Sequence, residues 1–189
     1  MGAPFLGSLP GAGLSPLVGL LRAEEIAAGT VAHALRIHYT ACDLSADLRR
    51  PAVSTDQVGG CEAESGPVVS RMDMGMRLQL AATVDCQART VPGKDAAAAE
   101  TRFLRVVCAA LQRFGALVLA GSDTPDDVGV ALEHAATGDW ANVAGEPIDA
   151  DHGWVLRDQA AGDGMTRGPT DGIPWGMLRV LTVSDFTAR

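Results

Sequence analysis

The stretch DAAAAETRFLRVVCAALQRFGALVLAGSD, residues 95–123, decides the class of fold. Phe103, Val107, Ala110, Leu111 and Phe114 recur at the spacing of one helical face, which predicts a long amphipathic helix over about 95–114. Gly115 is placed to end it, because glycine takes the left-handed backbone that closes many helices. Residues 116–120 then form a short continuous apolar run, the pattern of a strand, which leads into a turn at Gly121, Ser122 and Asp123. A helix that delivers its chain straight into an apolar strand points to a helix packed on a sheet.

Working outward, Ser15 followed by Pro16 is a helix-start signal and Gly29 a matching stop, with Leu17, Leu20, Leu21 and Ala28 able to share a face between them. In residues 30–40 the period changes to two. Val31, His33, Leu35, Ile37 and Tyr39 alternate with Ala32, Ala34, Arg36, His38 and Thr40, giving an apolar face that carries His33 and an opposite face on which Arg36 and His38 are expected to be solvated. Met76, Leu78 and Leu80 alternate with Arg77 and Gln79, and Val128, Val130 and Leu132 alternate again. The run from Met177 to Val183 reads as a buried strand. Short strands outnumber helices and the βαβ rhythm of a parallel sheet is missing. The expected class is therefore α+β, mainly antiparallel, with one long amphipathic helix and a short N-terminal helix. The chain reads as a single domain over 1–189, with a flexible lead over 1–14 and long loop-rich segments at 41–75 and 121–164.

Composition bounds the function. Of 189 residues, 47% are hydrophobic, enough to build a core and too many for a disordered acidic polymer. No run approaches the roughly 20 apolar residues of a membrane span. The formal charge of −8 argues against a phosphate-backbone binder, so nucleic acid is not an expected partner. That charge is concentrated: residues 121–164 hold ten acidic residues and one basic one, Arg157, while the rest of the chain is nearly neutral. The segment reads as solvated loops, or alternatively as a cation site using Asp149 with Asp151, or Asp126 with Asp127, although no EF-hand spacing is present. There is no Gly-rich phosphate loop, GxSxG elbow or HExxH pair, and no cofactor or metal is expected. The first 21 residues lack a basic n-region, and Pro10 with neighbouring glycines interrupts the apolar run, so no export signal is read there.

Four cysteines, Cys42, Cys61, Cys86 and Cys108, form no zinc spacing. Cys42 and Cys61 flank a Pro-, Gly- and charge-rich loop that a disulfide would clamp in an oxidising compartment, whereas Cys108, inside the helical pattern, reads as a buried thiol. His33 is the candidate catalytic residue: a titratable ring on an apolar face needs a partner, and Asp185 or Asp171 could supply one if the fold brings it near. The bland reading is a core histidine bonded to backbone. Glu24 and Glu25 point about 100° apart on a helix and do not form a facing dyad. Trp140, Trp154 and Trp175, with Tyr39, are the candidate substrate-binding rings, since an aromatic face beside carboxylates suits a sugar; as core residues they would simply bury large apolar area.

Four segments in order resemble a family of uncharacterised, mostly secreted bacterial proteins from actinobacteria and myxobacteria: LSPLVGLLRAEEIAAGTVAHAL (14–35), MGMRLQL (74–80), LRVVCAALQRFGALV (104–118) and GIPWGMLRVL (172–181). That pattern carries a histidine in the first strand, matched by His33, and cysteines around the following loop, matched by Cys42 and Cys61. Members have a further region with an export signal before the first helix, so this chain resembles their C-terminal portion. Their usual acidic residue and Gly turn after the long helix is replaced here by LVLAGSD. The resemblance implies an extracellular or envelope location and a fold-level likeness to carbohydrate-active proteins with β-sandwich-like sheets. The leading expectation is a β-rich module that binds a carbohydrate, alone or within a glycan hydrolase or lyase. The alternative is a non-catalytic structural or interaction module with no small-molecule ligand.

Overall fold

The long helix begins at Ala99, four residues later than the periodicity suggests, because Asp95 first organises a turn. Its carboxylate accepts the backbone N–H of Ala97 at 2.8 Å, so residues 95–98 form a capped turn and the helix α2 runs Ala99–Arg113. In the computed structural model, which describes residues 12–15, 17–40, 44–55, 72–122, 128–133, 140, 154–155 and 172–181, α2 buries Phe103, Leu104, Val107 and Leu111 completely. Gly115 ends the helix at φ +73°, and a Cβ there would collide with the carbonyl of Leu78. Only glycine fits this turn, for both reasons.

The remaining elements, in chain order, are α1 (Ala23–Ala28), β1 (Leu35–Thr40), β2 (Leu44–Leu48), β3 (Met72–Met74), β4 (Arg77–Leu80), β5 (Ala116–Ser122), β6 (Val128–Ala131), β7 (Trp154–Val155), a 3-10 turn (Trp175–Met177) and β8 (Leu178–Val180). Six strands form one sheet in the order β7-β6-β1-β5-β4-β8, and β2 pairs with β3 in a second. The fold is thus mixed α+β with one long and one short helix among the described residues. The sheets are mixed rather than a closed antiparallel sandwich: β1–β5 and β2–β3 are parallel, while β1–β6, β4–β5, β4–β8 and β6–β7 are antiparallel. Alternation fixes which way side chains point, not which way the neighbouring strand runs, so the parallel pair between β1 and β5 is invisible locally.

Several expectations are corrected. No helix starts at Ser15. The Ser15 hydroxyl does accept the N–H of Leu17 at 3.3 Å, but Gly19 turns to φ +73° and presses against β1, accepting the Arg36 N–H at 2.7 Å where a Cβ would lie 2.6 Å from that nitrogen. The first helix is therefore only Ala23–Ala28, closed by Gly29 in the left-handed region as expected. At the end of the N-terminal lead, Ala12 is buried and donates its N–H to Leu119 O at 3.0 Å. The strand begins at Leu35, not residue 30, and Arg36 and His38 are not solvated; they are 8% and 3% exposed. β1 lies between β5 and β6 and is covered on both faces, so period-two polarity does not mark a wet side. Conversely, the C-terminal apolar run is an edge strand with Val180 42% exposed.

Cys108 is not a free thiol. It bonds Cys86 across 22 residues, with Cα atoms 5.6 Å apart, and staples the loop after β4 to the middle of α2. Cys42 and Cys61 lie outside the described residues. Closing a loop of that length stabilises by about 3 kcal/mol on the chain-entropy argument, so Cys86→Ala/Cys108→Ala should unfold at correspondingly lower denaturant in an equilibrium titration.

The small sheet is pinned by Asp73 on β3, which accepts the Ser45 hydroxyl at 2.6 Å and pairs with the Arg49 guanidinium. First the Ser45 hydrogen bond and then Arg49 hold its carboxyl below the usual 3.8. The folded state binds this proton less tightly than the unfolded one, so the contribution is complete above the unfolded value and lost as pH falls through the folded value. Asp73→Asn should therefore be less stable than the parent at about pH 6, with the gap closing toward about pH 2, as read by urea unfolding.

Candidate functional site

His33 follows α1 and precedes β1, so it sits at a corner of the fold rather than on the apolar face of a strand. Its side chain is 37% exposed. Nε2 lies 3.1 Å from Oε1 and 3.3 Å from Oε2 of Glu25, and Nδ1 lies 2.9 Å from the backbone oxygen of Ala34. Both partners are acceptors. A neutral ring can donate to only one of them, whereas the imidazolium satisfies both. The same Glu25 carboxylate accepts the Arg22 N–H at 3.0 Å, so one side chain closes the start of α1 and holds the histidine.

No sequence spacing singles out this partner. Glu25 precedes His33 by eight residues, and only the reversal at Gly29 returns the chain to it. Asp171 and Asp185, the carboxylates considered for that role, lie outside the described residues. Glu24 goes its own way to Arg22 at 3.5 Å, consistent with the divergence of adjacent helical positions. A second unforeseen carboxylate, Glu133 at the end of β6, accepts the Ala23 N–H at 2.8 Å and caps α1 from more than a hundred residues away.

The aromatic rings are dispersed. Trp140 is 4% exposed, meets Phe103 of α2 edge-to-face with centroids 6.4 Å apart, and donates its indole N–H to Glu133 O at 3.0 Å. It presents no face to a ligand, so as a substrate-binding candidate it is a core residue instead. Its area is used to fix α2 and the end of β6. Trp154 lies on β7, opposite Ala131, with its side chain outside the described residues. Trp175 lies in the 3-10 turn that leads into β8 and packs half-buried on the core, its buried Nε1 without a hydrogen bond among the described residues. β7 and β8 are opposite edges of the six-stranded sheet. At the usual strand spacing they stand about 24 Å apart, too far for one platform under a single sugar. Tyr39 packs half-buried against the core from β1, one strand removed from β7.

No group of three or more His, Cys, Asp or Glu able to hold a metal occurs among the described residues. The carboxylates Asp126, Asp127, Asp149 and Asp151 lie outside them. No described helix is long and apolar enough to cross a membrane. Comparison with protein-family models, with curated proteins and with solved structures finds no match.

The Trp140 contact is testable apart from any ligand. Trp140→Ala should cost about 3–5 kcal/mol, the range for emptying a buried aromatic site, measured by chemical unfolding followed through far-UV circular dichroism.

Proposed function

We propose that this chain is a disulfide-stapled, non-catalytic interaction module of an oxidising compartment, extracellular or in the cell envelope. The engagement of both His33 ring nitrogens carries this reading. An acid or base in catalysis needs a nitrogen turned toward substrate, and here one is anchored to a backbone oxygen and the other to a carboxylate that also caps a helix. His33 then serves to lock α1 to the entry of β1. The Cys86–Cys108 bond fits the same compartment, because such bonds persist where thiols are not kept reduced. That location also agrees with the resemblance to the C-terminal part of secreted bacterial proteins.

Carbohydrate binding stands as the second reading, favoured by Trp175. Its ring is partly exposed on a turn beside the exposed Met177, at a sheet edge where a sugar could lie against it. A β-sandwich-like relation to carbohydrate-active proteins belongs to this reading.

A glycan array probed with the oxidised protein and with Trp175→Ala separates the two. The first reading expects no saturable binding and no glycan cleavage. Saturable binding lost in Trp175→Ala would establish the second, and cleavage abolished by His33→Ala in a folded variant would overturn the non-catalytic assignment.

A further inference from the structure

We propose that a cavity between α2 and the disulfide-bonded loop binds a small organic carboxylate, which goes beyond the interaction role by giving the module a ligand. The cavity measures about 380 Å³ and is lined by Gly29, Gln87, Ala96, Ala97, Arg102, Arg105, Val106 and Ala109. Six of these eight residues are exposed and only Val106 is buried, so the cavity is an open groove whose walls are small apolar side chains with a few polar groups set among them.

Arg105 is the centre of the site. Its Nε donates to Arg89 O at 2.9 Å and its Nη1 to Ala96 O at 3.4 Å, so the guanidinium is held in place by two main-chain oxygens of the opposing loop. Neither oxygen carries a formal charge. Arg105 forms no ion pair among the described residues, and its Nη2 has no hydrogen bond there. Of the acids in the same stretch, Glu100 pairs with Lys94 at 2.7 Å, while Asp85 accepts the N–H groups of Gln87 and Ala88 and Asp95 that of Ala97. At the end of α1, the Ile26 and Glu25 carbonyls accept the N–H groups of Gly29 and Thr30.

A guanidinium pre-positioned by uncharged acceptors is suited to a planar carboxylate. Arg102, one turn earlier on α2, lines the same wall, and Gln87 offers an amide. The walls of Ala96, Ala97, Val106 and Ala109 suit a short apolar chain behind the acid, which favours an organic carboxylate over inorganic phosphate. Cys86 and Cys108 are the immediate neighbours of Gln87 and Ala109, so the disulfide fixes the separation of the two walls.

The test follows the Arg105 Nε–H and the Ala97 and Ala109 amides by nitrogen–proton NMR of the oxidised protein during titration with hexanoate, hexanamide and inorganic phosphate. Saturable shifts with hexanoate are expected, with affinity at least tenfold weaker for hexanamide and for phosphate. Arg105→Gln should weaken hexanoate at least tenfold. Because Arg105 also ties the loop to α2, Ala109→Leu provides a second variant: it fills the cavity from an exposed helical position, keeps the guanidinium and should abolish saturation. Equal affinity for hexanamide, tighter binding of phosphate, no saturation by about 50 mM hexanoate, or unchanged hexanoate binding in Ala109→Leu would each overturn the proposal.

Discussion

The turn at Gly115 is the constraint on which the rest of the fold depends. Its missing Cβ lets the chain pass against the Leu78 carbonyl of β4, and its own carbonyl accepts the Leu35 N–H of β1 at 3.0 Å. One residue thereby ends α2, starts β5 and spaces that strand between its two neighbours. The Arg77 guanidinium of β4 closes the junction by donating to Phe114 O, and the Gln79 amide donates to Gln112 O at 2.6 Å. Two of the carbonyls at the C-terminal end of α2, which a helix cannot pair by itself, thus accept from strand side chains.

This use of polar groups explains why polarity misleads along the central strands. Gln79 is buried because it serves the end of α2, and it also accepts from Arg179 of β8 at 3.3 Å. Arg36 is buried beneath the N-terminal segment, reaching Leu119 O at 3.5 Å. A buried polar side chain is tolerable where it finds a partner, and the partners here come from elements remote in sequence. Strand alternation in residues 35–40 therefore identifies two faces correctly while giving no sign that both are covered.

The candidate residues divide along the same line. That His33 needs a partner is legible in its neighbours Leu35 and Ile37, but the identity of Glu25 depends on the reversal between α1 and β1. Trp140, Trp154 and Trp175 read from the sequence as candidate substrate-binding rings. Sheet order places Trp154 and the Trp175 turn near opposite edges, and Trp140 against α2. Arg105 drew no attention as a sequence feature, because a lone arginine on a helix is ordinary; its interest comes from two loop carbonyls and a cavity that exist only once the loop is closed on the helix.

What the sequence determined by itself is what short-range periodicity and glycine chemistry can encode: the long helix, its end at Gly115, the left-handed stop at Gly29, and the existence of strands within residues 30–40, 76–80, 116–120 and 128–132. These depend on residues a few positions apart, whose side chains share a face whatever the remainder of the chain does. Tertiary structure alone decided the parallel pairing of β1 with β5, the joining of Cys86 to Cys108, the capping of α1 by Glu133 and the dispersal of the tryptophans. Each is a contact between segments distant in the chain, fixed by which surfaces the whole fold can bury together, and no local pattern carries that information.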